Sequence, residues 1–347
     1  MTTMSCPTGV TPSMLAWVQN NVSGLAEVSE LALLSGGRSN LTYLLTASSG
    51  QRFVLRRPPL GEVLASAHDM QREWRYISAL RDTGVPVAHG LALCDDRDVA
   101  PCAFYVMDYV QGVVLSDQAD GALLSLEARR QASVSTVEVL ATLHQQDPVE
   151  LGVVSALRSA PGTGPGFVER QIARWTAQLS TLDFPERSAL LAVRSALLKE
   201  VPSERTGIVH GDYRPGNLAF SRSGRVTAVF DWELATVGDV LTDVGWLLAS
   251  WEEANEGGGF LPTSDGPTGL EGFLTRSEVA ERYEQATNHD LDRLDWYLAF
   301  ARWRMACIGV GVRHRYSQGV MEDDGFTVDG LNHLIPGLAE AALTDLR

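Results

Sequence analysis

The sequence predicts an α+β fold in two parts. Three observations carry this. The first hundred residues alternate strand-like apolar runs with short turn signals around a single long helical pattern. The character changes after "VQGVVLSD" (110–117), beyond which helical spacing dominates. Inside the helical part, one compact strand–loop–strand block, "IVHGDYRPGNLAF" (208–220), interrupts the pattern. The division is placed at 1–108 for a small, antiparallel-sheet N-lobe and 109–347 for a larger, mainly helical C-lobe.

Each element has its reason. Residues 13–20 form a short leading helix, with Thr11 or Ser13 as the cap and Pro12 near the start. "VSELALLS", "NLTYLLTA" and "QRFVLRR" read as strands separated by the turn signals "GGRS" and "SSG", and Pro58-Pro59 ends the run. "AHDMQREWRYISALRD" (67–82) has Met70, Trp74, Ile77 and Leu80 at helical spacing. Strands follow near 89–94 and 103–110. Residues 123–145 are helical, with Val134, Val137, Leu140, Ala141 and His144 on one face. Segments 167–180 and 186–200 are further helices. "NLAF-SRSG-RVTAVF" reads as a β-hairpin. The rest, apart from a Gly-rich region over 252–270, reads as helix, with a capping box at Thr275 and Glu278.

Composition excludes several function classes. The formal net charge of −15 over 347 residues disfavours nucleic acid as a partner. No apolar run is long enough for a membrane span, and the N-terminus lacks the pattern of a secretory signal, so a cytoplasmic protein is expected. The four cysteines show neither CxxC pairing nor zinc spacing. Of 28 basic residues only Lys199 is a lysine, and Glu200 follows it, which excludes a Walker-A phosphate loop.

The loop 210–217 holds His210, Gly211, Asp212, Arg214, Pro215 and Asn217 between two strands. A loop fixed at both ends can aim Asp212 and Asn217 at one cavity. Asp212 is a candidate general base or nucleophile orienter, and the Asn217 amide oxygen is a neutral hard ligand suited to Mg²⁺. The hairpin then returns the chain to Asp231, a second carboxylate. Taken alone, "HGD" would be an ordinary surface turn. In order with Asp231 and "GDVLTD" it describes a Mg²⁺–nucleotide site.

"HGDYRPGN" matches the spacing of the protein-kinase catalytic loop, and "FDWE" (230–233) stands where kinases have D-F-G. With Gly after the His, and with Gly238-Asp239 and Asp243 downstream, the block resembles the aminoglycoside phosphotransferase family of the kinase-like fold. "SNLTYLL", "FVLRRPP", "AHDMQREWRYISAL" and "FYVMDYVQG" are similar to the subgroup fused to, or encoded beside, certain acyl-CoA dehydrogenases. The resemblance runs from about residue 30 to about 315. It implies a two-lobed protein-kinase-like fold and an ATP-dependent O-phosphotransferase acting on a hydroxyl of a small-molecule acceptor. GTP is the alternative nucleotide.

The same resemblance implies roles for single residues. Asp212 is the catalytic base, Arg214 a fixed cation near the transferred phosphoryl group, and Asn217 and Asp231 the Mg²⁺ ligands. His210 holds the loop's shape. Gly36, Gly37, Ser39 and Asn40 form a turn over the nucleotide. Arg56 replaces the usual lysine, with Glu73 as its partner and Arg57 as its alternative. Strand alternation sends Arg56 and Arg57 to opposite faces. Backbone groups near Asp108 and Val110 bind adenine at a hinge. On the helix around 296–315, Arg302, Arg304 and Arg313 are candidates for binding an anionic acceptor, a hydroxyacyl-CoA or related hydroxy-acid derivative. The alternatives are an antibiotic kinase of the aminoglycoside type and a nucleotide-binding pseudokinase module. A protein kinase is disfavoured, because the segment after Asp231 has no A-P-E motif.

Overall fold

The computed structural model describes residues 9–35, 40–59, 69–154, 166–254, 266–319 and 328–347. The chain divides into two compact units. One comprises Met1–Gln111 and Ala228–Ala235, the other Gly112–Thr227 and Thr236–Arg347. Residues 228–235, which carry Asp231, therefore group with the N-terminal sheet.

The first unit is built on five antiparallel strands in the order β1-β2-β3-β5-β4. These are β1 (Val28–Ser35), β2 (Leu41–Ala47), β3 (Arg52–Arg57), β4 (Gly90–Cys94) and β5 (Phe104–Asp108). Strict alternation in β2 buries Leu41, Tyr43, Leu45 and Ala47. Together with Phe53, Leu55, Phe104 and Val106 they pack against Met14 and Val18 of helix α1 (Pro12–Asn21). Thr11 caps α1 through its hydroxyl, which accepts from Met14 N at 3.2 Å. The other face of the sheet carries α2 (Met70–Ala79), capped by Asp69, with Trp74 6.0 Å from the Tyr105 ring. The returning segment joins this unit through Val229, whose N–H donates to Pro86 O at 2.9 Å, and through Trp232, which stacks on Tyr76.

The second unit is mainly helical. Its helices are α3 (Gln118–Ala122), α4 (Leu126–His144), α5 (Phe167–Ser180), α6 (Arg187–Leu197), α7 (Leu241–Ala249), α8 (Arg276–Thr287), α9 (Leu294–Ser317) and α10 (Asp329–Asp345). Helix α9 packs against α6, α7 and α10. Its Trp296, Phe300 and Trp303 rings are buried, and the two indole N–H groups donate to Leu197 O and Leu190 O. The expected capping box at Thr275 and Glu278 is present on α8.

Among the described residues, five short strands belong wholly or partly to this unit: β6 (Val113–Val114), β7 (Thr206–Val209), β8 (Leu218–Phe220) and β10 (Thr236–Asp239) wholly, and β9 (Val226–Val229) in part. Strand β10 corrects the reading of everything after the hairpin as helix. Residues 236–239 pair antiparallel with β7, Val237 opposite Ile208. Four residues are too few to show a period, so only the partner strand makes this segment a strand. The stretch 255–265 of the Gly-rich region lies outside the described residues.

The β8–β9 turn supplies a test of the packing. Gly224 has φ 83°, and a Cβ there would sit 2.0 Å from the Ala128 carbonyl oxygen of α4. Gly50 has φ 84° with open space around it. Gly50→Ala is expected to cost about 1–2 kcal/mol, the left-handed penalty alone. Gly224→Ala adds an overlap with backbone that cannot rotate away, and is expected to cost about 3 kcal/mol or more. Chemical denaturation of the two variants measures the difference.

Candidate active site

In the first unit the site centres on Glu73, which is 1 % exposed. Four donated bonds converge on its carboxylate. Arg56 Nε lies 2.8 Å from Oε2, Arg56 Nη2 3.3 Å from Oε1, Tyr105 OH 2.7 Å from Oε2 and Asn40 Nδ2 2.6 Å from Oε1. Burial and the Asp231 charge push the Glu73 carboxyl up from its ordinary value, while Arg56 and the Tyr105 hydroxyl oppose them. The same Arg56 Nη2 donates to Asp231 Oδ1 at 2.5 Å. An arginine fork can serve two carboxylates at once, which a lysine ammonium does less specifically.

Arg57 turns to the opposite face, as alternation requires. It is buried, donating to Gly9 O, to Pro58 O at 3.1 Å and to Cys102 Sγ at 3.3 Å. Of the turn over 36–40, Gly36, Gly37 and Ser39 lie outside the described residues. Asn40 bridges Glu73 and Glu233, donating to Glu233 Oε2 at 3.2 Å. Asp108 and Val110 line a cavity of about 530 Å³ with Gln51, Arg52, Val87, His89, Tyr109 and Gln111.

Asp231 stands in the left-handed region, φ 65° and ψ 61°, ahead of the 3₁₀ turn Trp232–Leu234. A non-glycine residue held there marks a position fixed by its surroundings. Carboxylate oxygens of Glu73, Asp231 and Glu233 lie within 4.8 Å of one another. An all-oxygen, anionic donor set fits a hard divalent cation such as Mg²⁺. Sequence reading quoted Glu233 within "FDWE" but gave it no role; its signal was the two-residue spacing from Asp231.

In the second unit, the loop 210–217 hangs on Asp243, a buried residue of α7. Asp243 Oδ2 accepts from His210 N at 2.6 Å, and Oδ1 from Gly211 N at 2.8 Å. Burial alone would raise the Asp243 carboxyl. Hydrogen bonding and electrostatic interaction with His144, together with the Gly211 N–H, outweigh it and hold its pKa below the ordinary value. Gly211 takes φ 86°, which explains a glycine at that position. His210 is buried and its Nδ1 accepts from Asp212 N at 3.2 Å, a loop-shaping role.

These contacts aim the Asp212 carboxylate. Its Oδ1 accepts from Trp246 Nε1 and its Oδ2 from Asn217 Nδ2, both at 2.7 Å. Asn217 Nδ2 also donates to Asp212 O at 2.8 Å. Two acceptors fix the amide orientation and turn Asn217 Oδ1 the other way. Arg214 Nε is 3.3 Å from Asp212 Oδ1. Trp246 was not foreseen, because a tryptophan in an apolar helix reads as core.

The three arginines of α9 separate. Arg304 stacks on the Trp246 ring, 4.2 Å from its centroid, and its Nη2 donates to Gly211 O at 2.5 Å. Arg302 and Arg313 do not join it there; each is held in an ion pair of its own. Arg302 is ion-paired with Asp345 of α10. Arg313 forms a two-pronged pair with Glu186, at 2.9 and 2.6 Å, and also donates to Asn332. Residues eleven apart on a helix are three turns apart, and the ion-pair partners are invisible in local sequence.

The profile of the Phosphotransferase enzyme family matches residues 30–297, most of the chain. The chain belongs to that family. Its relatives include human acyl-CoA dehydrogenase family member 11, 31 % identical over 347 residues. That alignment covers 95 % of this chain and 42 % of the relative, so the chain spans about two-fifths of the relative's length. A crystal structure from Ralstonia eutropha JMP134, provisionally assigned as an aminoglycoside phosphotransferase, is similar at 32 % identity with a TM-score of 0.78, covering 96 % of this chain and 97 % of that one. The GDP and kanamycin complex of APH(2″)-IIIa shares the fold at 16 % identity, TM-score 0.62, covering 95 % of this chain and 98 % of that one. The family fold is thus the aminoglycoside kinase-like one. Among the described residues no helix is long and apolar enough to cross a membrane.

Asp243→Asn tests the anchor. It trades one acceptor oxygen for a donor facing the loop's N–H groups, and is expected to cost about 1–3 kcal/mol near neutral pH. A depressed carboxyl contributes stability above its unfolded pKa of about 3.9, and that contribution is lost as pH falls through the lower folded value. The gap between parent and variant should therefore close below about pH 4, as denaturation midpoints across pH would show.

Proposed function

We propose that the protein is an ATP-dependent O-phosphotransferase that phosphorylates a hydroxyl of a small molecule. One observation carries the reading: the Asp212 carboxylate is fixed by Trp246 and Asn217 on a loop whose backbone is itself anchored. A carboxylate so positioned can accept the acceptor hydroxyl's proton as its oxygen attacks the terminal phosphorus, which is general-base catalysis. Arg214, beside it, offsets charge on the transferred group.

In the first unit, Arg56 binds nucleotide phosphate while paired with Glu73, and Asp231 is the metal ligand. Asn217 is the metal ligand of the second unit. Mg²⁺ supplies charge neutralisation on the nucleotide phosphates. Asp108 and Val110 contact the base, with ATP favoured over GTP.

For the acceptor, a hydroxyacyl-CoA or related hydroxy-acid derivative is favoured. The acyl-CoA dehydrogenase name of the human relative supports this. So does charge. The half-buried Arg304 guanidinium lies next to the catalytic loop and interacts electrostatically with Asp212 and Asp243, with Arg174 of α5 close enough to repel it. Cations around the base suit an anionic acceptor and oppose a polycationic one. The aminoglycoside reading has the kanamycin-bound fold neighbour in its favour.

Asp212→Asn is expected to keep nucleotide binding and to lose about 10²–10⁴ in turnover. Mass detection of phosphorylated product, over a panel of hydroxyacyl-CoAs, hydroxy acids and aminoglycosides, identifies the acceptor and then measures this loss. A variant with parental turnover would remove Asp212 from the chemistry. Arg56→Ala is expected to weaken nucleotide binding in calorimetry far more than Arg57→Ala, which should instead lower the melting temperature because it empties a buried site.

A further inference from the structure

Helices α7 and α9 lie close enough for an indole of one to stack on a guanidinium of the other. A Cβ at Gly245 of α7 would sit 2.5 Å from the Tyr297 carbonyl oxygen of α9, so a glycine is needed for the two backbones to approach this far. The next residue, Trp246, is 2 % exposed and packs on Ala301 and Met305 of α9. Arg304, between these two in the chain, lays its guanidinium over the indole, 4.2 Å from the ring centroid.

These contacts close a ring around Asp212. The Trp246 N–H donates to Asp212 Oδ1 at 2.7 Å. Arg304 Nη2 donates at 2.5 Å to Gly211 O, the carbonyl of the peptide that leads into Asp212. The N–H of that same peptide donates to His210 Nδ1 at 3.2 Å. The peptide plane is therefore held at both of its polar ends, and the side chain that follows it is held at its tip. Arg304 takes part in both holds, directly at the carbonyl and through the indole at the carboxylate.

The chemistry explains why the residue is an arginine. A guanidinium is planar, so it can lie on an indole face while an edge N–H reaches a carbonyl; an ammonium is a point charge without a plane. The negative face of the indole attracts the cation. With Arg304, Ala301 and Met305 packed around it, the indole is kept in the orientation that aims its N–H at Asp212.

We propose that Arg304 is a positioning residue: by holding the Gly211 carbonyl and the Trp246 ring together, it sets the direction in which the Asp212 carboxylate points. This role is separate from a direct grip on the acceptor. Its effect on turnover rests on Asp212 being the base; the arrangement itself does not.

Hydrogen exchange in ¹⁵N–¹H spectra of the purified protein tests this without an acceptor. The Trp246 indole N–H, assigned by its loss in Trp246→Phe, is expected to exchange slowly and to shift in Asp212→Asn. Arg304→Met keeps a long unbranched side chain but removes the charge and the donor. It should speed exchange of the Trp246 indole N–H and of the Asp212 amide by about 10-fold or more. The Trp303 indole, on the same helix and bonded to Leu190 O, should keep its protection and so controls for a general loosening of α9. Arg304→Lys keeps the cation without the planar stack and should fall between parent and Arg304→Met. Unchanged exchange at both sites in Arg304→Met, or an equal loss at Trp303, overturns the proposal. Should Arg304→Met not fold, Arg304→Lys decides alone, and parental exchange at both sites overturns the proposal. If Asp212 is the base, Arg304→Lys should lower kcat with the acceptor KM near its parental value. Parental kcat with a raised acceptor KM would make Arg304 an acceptor-binding residue and end its positioning role. Failure of the kinase reading shows separately, as absent phosphorylated product with the exchange pattern as described.

Discussion

A buried carboxylate must be fully bonded to be tolerated, and in the second unit that requirement falls on Asp243. Its two oxygens meet two consecutive backbone N–H groups, at His210 and Gly211. The local conformation follows from this. Gly211 has to take positive φ to present its N–H, His210 folds back to accept from Asp212 N, and the chain leaves with the Asp212 side chain toward Trp246 and Asn217. Asp239, four residues earlier, solves the same problem separately. It accepts from Tyr297 OH at 2.6 Å and from Arg205 N at 3.2 Å, and so ties β10 to α9 and to the residue preceding β7.

The first unit faces a comparable constraint with a different solution. Glu73 is as deeply buried, but its partners are side chains rather than backbone, and Arg56 brings a formal charge. Removing either member of such a pair strands the other, which makes Arg56 and Glu73 a unit. The fork holds Glu73 through Nε and Nη2, and Nη2 also holds Asp231. The neighbouring Arg57 shows what the strand pleat does to identical chemistry. One residue along, a guanidinium becomes a buried structural donor to backbone oxygen and thiol.

Much of this was legible in the sequence, because much of it is local. Period-two burial in β2, the Thr11 and Thr275 caps and the opposite faces of Arg56 and Arg57 follow from spacing of a few residues. The block that carries the family resemblance was legible because Asp212, Asn217 and Asp231 lie in one short stretch with a characteristic order. Glu233 and Trp246 were not. Each is an unremarkable residue in its own window, and its role comes from a partner tens of residues away. The ion pairs of Arg302 and Arg313 were illegible for the same reason, since Asp345 and Glu186 cannot be paired with them from helical spacing.

Sequence alone determined the α+β class, the strands of the N-terminal sheet, the family block and the identity of the chemical groups. Those are matters of local propensity, pattern and residue type. Tertiary structure decided that 236–239 is a strand, that Arg304 alone of the three arginines stands by the 210–217 loop, and that Asp243 is backed by His144, which is itself bonded to Tyr283. Hydrogen bonds and ion pairs between distant segments have no sequence period; they exist only once packing has brought donor and acceptor within about 3 Å.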